Sequence, residues 1–326
     1  MMVFAEAGAT ATAALAPWLT ELLQATLNGL SFGLLVALIA LGYTMVYGIV
    51  ELINFAHGDL FMLGGFLALT MLNFLDWSSF DGVSPPLLVL GLLGILLLCM
   101  AFCAVLNTAV DFLVYKPLRN APKLAPLVSA IGVSFLFTNV GLFWGGAQDV
   151  NFPQLIPTAN LLEGTGLNLQ LTMKNVLVFA VTIPLMIALT VFIKSSRIGK
   201  AMRATAQNPV AARLMGINTD AIISITFAIG GALAGAASLT FALTVNTVSY
   251  TMGFQNGLYA FTAAVLGGVG RIPGAVLGGI LIGLVRSLGS TYVGENWAGA
   301  LIFGILIVIL VFRPAGLLGS TVREKV

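Results

Sequence analysis

Charge is what this chain has least of. Among 326 residues there are 14 Lys or Arg and 12 Asp or Glu, 8% together, against 59% apolar residues. A soluble domain carries about 25% charged residues, so a soluble globular fold is excluded. Histidine is reduced to His57, and cysteine to Cys99 and Cys103, four apart in an apolar run. No disulfide framework follows, and the two thiols read as small packed hydrophobes. No Lys or Arg precedes Lys116, so the start lacks the cationic region of a secretory signal. Residues 1–21, rich in small side chains, read instead as an N-terminal tail outside the membrane. The net charge of +2 gives no basis for binding nucleic acid.

What is abundant is uncharged sequence: Leu22–Val50, Pro86–Val110, Leu124–Gln148 and Ala221–Gly270. Each is long enough for a helix of about 20 residues to cross a bilayer of about 30 Å. Runs such as Leu87–Met100 are apolar on every side, without the period-two alternation of a β-barrel. The fold class is therefore an all-α polytopic membrane protein with eight to nine transmembrane helices. The expected crossings are 22–46, 54–75, 87–114, 124–145, 175–194, 220–243, 257–269, 275–290 and 297–312. The seventh and eighth are short and interrupted by glycine, so eight crossings plus a re-entrant pair is the alternative. The membrane body spans 22–314, with residues 315–326 as a C-terminal tail.

Lys and Arg mark the cytoplasmic side of membrane proteins. Nine alternating crossings put Lys116, Arg119, Lys123, Lys194, Arg197, Lys200, Arg203, Arg213, Arg271, Arg313, Arg323 and Lys325 on one side. Glu6, Glu21, Asp76, Asp81, Asp149, Glu163 and Glu295 fall on the other, with Lys174 as the nearby cation. The N-terminus is expected outside and the C-terminus in the cytoplasm. The external segment 147–172 either receives a partner or caps the bundle.

Glycines recur four apart at Gly29/Gly33, Gly141/Gly145, Gly231/Gly235, Gly274/Gly278 and Gly279/Gly283. That spacing leaves a smooth strip on which another helix packs closely. Around Gly267, Gly268, Gly270, Pro273 and Gly274 the density rises further, as a discontinuous, path-lining helix or as a cytoplasmic turn.

The most polar stretch at membrane level, Gly48–Phe66, carries Glu51, Asn54, His57, Gly58 and Asp59. An ionised side chain near the bilayer centre costs about 2.5–3.5 kcal/mol, so such groups face a cavity or a partner. No nucleophile or ligand spacing supports a hydrolase or a metal site. A membrane-edge turn competes with the lining or gate of a solute path. Arg286 is a second outlier, expected to reach the surface or to pair with Glu295.

The interval 195–220 is the main polar segment on the cationic side. Asn208 suits an N-cap, Pro209 the first helical position and Gly216 the left-handed position after the end. A two-turn helix over 209–215 follows, with Val210 and Leu214 on an apolar edge and Arg213 elsewhere. Such a helix suits docking onto a cytosolic motor domain, or serves as a solvated connector. No motor is encoded, because the Gly199–Lys200 pair is followed by Ala201 rather than the Ser or Thr of a Walker A loop.

INFAHGD with LFMLGG, the loop RATAQNPVAARLMGI, AAVLGGVGRIPGAVLGG and the terminal FRPAGLLG resemble one family across roughly residues 20–320. They are similar to the LivH-type permease subunit of bacterial branched-chain amino acid ABC importers. The resemblance implies a bacterial inner-membrane protein that performs no catalysis itself. It also implies a second, LivM-type permease, two cytosolic ATPases holding ATP and Mg, and a periplasmic amino-acid-binding protein. By position, Asn54, His57, Gly58 and Asp59 lie near the path, and Pro209–Gly216 is the coupling helix. Rival readings are a permease for urea or short amides, and a stand-alone secondary transporter or channel using Glu51 or Asp59.

Overall fold

The computed structural model describes residues 16–50, 54–77, 84–119, 121–122, 124–163 and 168–319. In chain order the helices are α1 (Pro17–Val50), α2 (Ala56–Phe74) and α3 (Pro85–Val110), which runs through a π-helical turn (Asp111–Tyr115) into α4 (Lys116–Leu118). Then come α5 (Leu124–Gly145), α6 (Met173–Ser195), α7 (Arg197–Gln207), α8 (Pro209–Leu214), α9 (Thr219–Val245), α10 (Met252–Gly267), α11 (Ile272–Tyr292) and α12 (Glu295–Phe312). Two short strands, β1 (Val150–Asn151) and β2 (Thr247–Val248), pair antiparallel with Val150 opposite Val248.

Seven of these stretches are long and apolar enough to cross a membrane: α1, Pro85–Leu118, α5, α6, α9, α11 and α12. The remaining long helices, α2 with 19 residues and α10 with 16, fill the second and seventh expected crossings. At about 1.5 Å per residue α10 is only about 24 Å long, short of the hydrocarbon thickness. The helix ends differ from the expected crossings by up to five residues. Pro17–Glu21, assigned to the tail by sequence, form the first turn of α1, because Pro17 suits a first helical position. The helix of the third crossing continues past 114 to Leu118, and Asp111 within it is paired inside the protein.

With both helix faces apolar, size rather than polarity sorts the residues. α1, α2, α9 and α10 are the most buried helices, while α3, α5, α6 and α12 keep an outer face of exposed Leu, Val, Ile and Phe. All five glycine pairs sit at close contacts. A Cβ on Gly283 would lie 2.2 Å from the Gly29 carbonyl oxygen, and one on Gly279 2.6 Å from Ala37, which fixes α1 along α11. Cβ atoms on Gly231 and Gly235 would each lie 2.3 Å from the Cys103 and Cys99 carbonyl oxygens, pressing α9 onto α3. Gly141 and Gly145 receive Met62 and Phe66 of α2, and Gly274 and Gly278 abut the end of α10. The cysteines are free thiols that donate to the Gly64 and Leu60 carbonyls of α2 at 3.5 Å.

One end of the bundle gathers the start of α1, residues 146–163 and 168–172, and the α9–α10 connection. Gln24 donates to the Gln170 carbonyl oxygen at 3.1 Å, β1 pairs with β2, and Lys174 donates to Asn246. Arg286 pairs there with Glu295 at 3.2 Å and lies over the Phe32 ring. At the other end lie the end of α1, α4, α7, α8 and the α10–α11 turn, which is the cationic end.

Candidate functional site

Asn54 and Phe55, which lead into α2, do not lie at the cationic end. Asn54 bonds to Asn107 of α3, twelve residues and about three helical turns before Arg119 at the end of α4. The His57 ring lies over Gly42, eight residues before the end of α1. The start of α2 is therefore set inside the bundle. Phe55 at its N-cap position offers no side-chain cap. Irregular backbone at this depth persists only where it is buried in protein, and the Asn54 side chain ties this stretch to the helix of Asn107 and Tyr115. Its Nδ2 donates to Asn107 Oδ1 at 3.2 Å and its Oδ1 accepts from the Tyr115 hydroxyl at 3.0 Å. Asn107 Nδ2 donates in turn to the Phe227 carbonyl oxygen at 2.6 Å.

The other residues of this stretch diverge. His57 is buried against α1, with its ring edge-on to Tyr43 at 4.8 Å. Gly58 is where α2 crosses α10, since a Cβ there would lie 2.5 Å from the Gly253 carbonyl oxygen and 2.8 Å from the Gly257 Cα. Asp59, also buried, turns toward α5. It accepts from the Ser134 hydroxyl, and the Thr138 hydroxyl lies at 3.3 Å. Among the described residues no Lys or Arg forms an ion pair with Asp59. Glu51 lies outside the described residues.

Beside Asp59 is a cavity of about 560 Å³, bounded by Tyr43 of α1, Phe55, the Ile131–Thr138 face of α5 and the first turns of α10. Its walls are mostly aromatic and aliphatic, and the Ser134 and Thr138 side chains that hold Asp59 also line it. α2 and α10 both begin at this cavity, through Phe55 and Thr251. Asn54 and His57 are not among its lining residues. An apolar chamber with a few hydroxyls and a carboxylate behind them suits passage of a small solute with an apolar side chain.

At the cationic end α7 folds back on α6, and the Arg203 side chain donates to the Ile193 carbonyl oxygen there. α7 falls within a segment that the sequence reads only as a polar interval. α8 forms as expected: Asn208 Oδ1 accepts from the Val210 and Ala211 amides at 3.0 Å, and Gly216 has φ +82°. Val210, Leu214 and Met215 of this short element are 66%, 84% and 82% exposed, an unpartnered apolar edge. Arg213 turns back toward α9, where its Nε donates to Thr219 Oγ1 at 2.7 Å.

Gly267, Gly268, Gly270, Pro273 and Gly274 form the turn between α10 and α11. α10 ends at Gly267, Gly268 and Gly270 take φ of +105° and +83°, and Pro273 sits in the first turn of α11. The segment after α12 packs into this turn. The Leu317 and Leu318 amides donate to the Leu266 and Gly267 carbonyl oxygens at 2.9 and 3.0 Å, satisfying the open end of α10.

Residues 25–311 match the family model described as branched-chain amino acid transport system / permease component. The chain belongs to this permease family. The protein BraD of Pseudomonas aeruginosa, named a high-affinity branched-chain amino acid transport system permease protein, is 38% identical over 311 residues, covering 95% of this chain and all of that protein. LivH of Salmonella typhimurium, named in the same way, is 38% identical over 306 residues, 93% of this chain and 97% of that one. No solved structure matches. The permease is thus a membrane component of a transport system and not an enzyme. Asn107, Asp111, Tyr115, Ser134 and Thr138 escaped the sequence reading. For the first three the available signal was their four-residue spacing along a single helix, continued by Arg119.

Proposed function

We propose that this permease forms half of the membrane path of an ATP-driven importer for branched-chain amino acids. A related LivM-type permease supplies the other half, two cytosolic ATPases that bind ATP and Mg supply the energy, and a periplasmic binding protein delivers the amino acid. The near-full-length likeness to BraD carries this reading. The cationic end faces the cytoplasm by the positive-inside rule, which puts the N-terminus outside and the C-terminus inside. The cavity beside Asp59 belongs to the path, and the aliphatic side chain of the solute moves along its aromatic walls. Asn54, His57 and Gly58 brace the start of α2 against α3, α1 and α10, so the cavity wall keeps its shape.

α8 docks on an ATPase through Val210, Leu214 and Met215, in the manner of an amphipathic helix laid into a groove. In this assembly the cation-rich α7 stays at the membrane surface and α8 projects beyond it. The test is co-purification of the affinity-tagged chain from native membranes, followed by leucine uptake in proteoliposomes. Two ATPases, a second permease and ATP-dependent uptake are expected. Leucine uptake by the single chain under an ion gradient alone would overturn the reading in favour of a secondary transporter.

A further inference from the structure

Between α8 and the start of α2 runs a chain of polar contacts that the path and the docking edge do not use. Arg213 reaches Asp220 at 3.6 Å, and the same Asp220 oxygen accepts from Arg119 at 2.5 Å. Arg119 also holds both carboxylate oxygens of the fully buried Asp111, at 2.8 and 3.1 Å. Ser224, one turn into α9 beyond Asp220, donates to Asp111 Oδ2 at 2.5 Å. Asp111 opens the π-helical turn whose last residue, Tyr115, donates to Asn54 just before α2.

The π turn is what keeps these groups in line. Four residues of α-helix turn about 400°, so groups four apart drift by about 40° at each step. The wider π turn takes more residues per turn and offsets that drift. Asn107, Asp111 and Tyr115 are all buried, and Arg119 closes back onto Asp111 from the same side.

We propose that Arg119 and Tyr115 are positioning residues that carry displacement of α8 by the ATPase to the start of α2 and the cavity behind it. The Arg213–Asp220–Arg119–Asp111 contacts tie α8 and α9 to α3, and the Tyr115 hydroxyl hands the shift to Asn54. The strong, directional part of this series is the Arg119–Asp111 pair, whose carboxylate is buried; the more exposed Arg213–Asp220 contact is weaker, and α8 is held to α9 also by Arg213 Nε donating to Thr219. The proposal rests on the reading of α8 as the ATPase docking helix.

The test uses the whole importer in proteoliposomes, reading leucine uptake per ATP hydrolysed together with the ATPase content of the purified complex. Tyr115→Phe removes one hydroxyl and keeps the ring that packs on Phe227, so the fold is preserved. Uptake per ATP is expected to fall about fivefold, the worth of one net hydrogen bond, with the ATPases still bound. Arg119→Gln should lower the ratio further, and Arg119→Lys should restore part of it. An unchanged ratio in both Tyr115→Phe and Arg119→Gln overturns the relay. So does loss of the ATPases from the Tyr115→Phe complex, which would make the hydroxyl a scaffold. Val210→Asp with Leu214→Asp isolates the underlying reading: ATPases that stay bound to this double variant overturn the docking assignment, and the relay with it.

Discussion

Gly58→Ala puts the geometry at the head of α2 under direct test. The added Cβ would sit 2.5 Å from the Gly253 carbonyl oxygen and 2.8 Å from the Gly257 Cα, where ordinary contact begins near 3.4 Å. Both obstacles are backbone, so no side chain can rotate away, and α2 and α10 must part by about 1 Å. Overpacking of this kind costs about 1–3 kcal/mol. The gain in helix propensity from Gly to Ala, at most about 1 kcal/mol, offsets part of that. Parting the helices also moves Gly253, whose backbone lies against Asp59, and so shifts the α10 wall of the cavity. The matched control is Gly94→Ala on the exposed face of α3, where an added Cβ meets nothing within 4 Å. Thermal unfolding of both variants in detergent, with uptake in proteoliposomes, is the assay. The expected result is a lower midpoint and reduced uptake for Gly58→Ala alone. A Gly58→Ala protein as stable as Gly94→Ala would refute the close crossing.

His57→Gln should reduce leucine uptake in a graded way, because the ring braces α2 on α1; complete loss in a normally assembled complex would point instead to an essential protonation step. Ser134→Ala removes a hydroxyl donor from a carboxylate, a contact worth about 1.5–3 kcal/mol. Its uptake should drop at least as far as that of Thr138→Ala, whose hydroxyl is more distant, and wild-type uptake in both variants would show that Asp59 does not depend on α5. Glu295→Gln should shift the unfolding midpoint very little, because its pair with Arg286 is largely exposed and such pairs contribute about 0–1 kcal/mol; a large loss of stability would contradict that accounting.

The crossings were legible because long uncharged runs have few other uses, and α8 was legible because its signals are local. Asn208, Pro209 and Gly216 act on their own backbone, so neighbouring residues suffice to read them. Asp111 is the opposite case. Taken alone it resembles the end of a crossing, and only Arg119, two turns on, and Ser224, from another helix, show it to be buried. Ser134 and Thr138 were hidden for a related reason. Hydroxyls in these helices commonly bond to the carbonyl four residues back, as Thr70, Thr108 and Thr190 do. Thr138 makes that bond too, at 3.0 Å, and nothing in its sequence tells it apart from the others. The Gly-rich stretch was legible as a broken helix or a turn without a choice between them, because the residues that fill the turn come from beyond α12.

That filling orders events during synthesis. The amides of Leu317 and Leu318 that close the end of α10 leave the ribosome after α11 and α12, so the carbonyls of Leu266 and Gly267 wait through the making of about fifty residues. Until then the α10–α11 hairpin has an unfinished end, and a chain stopped after α12 would carry every crossing yet leave that end open to water.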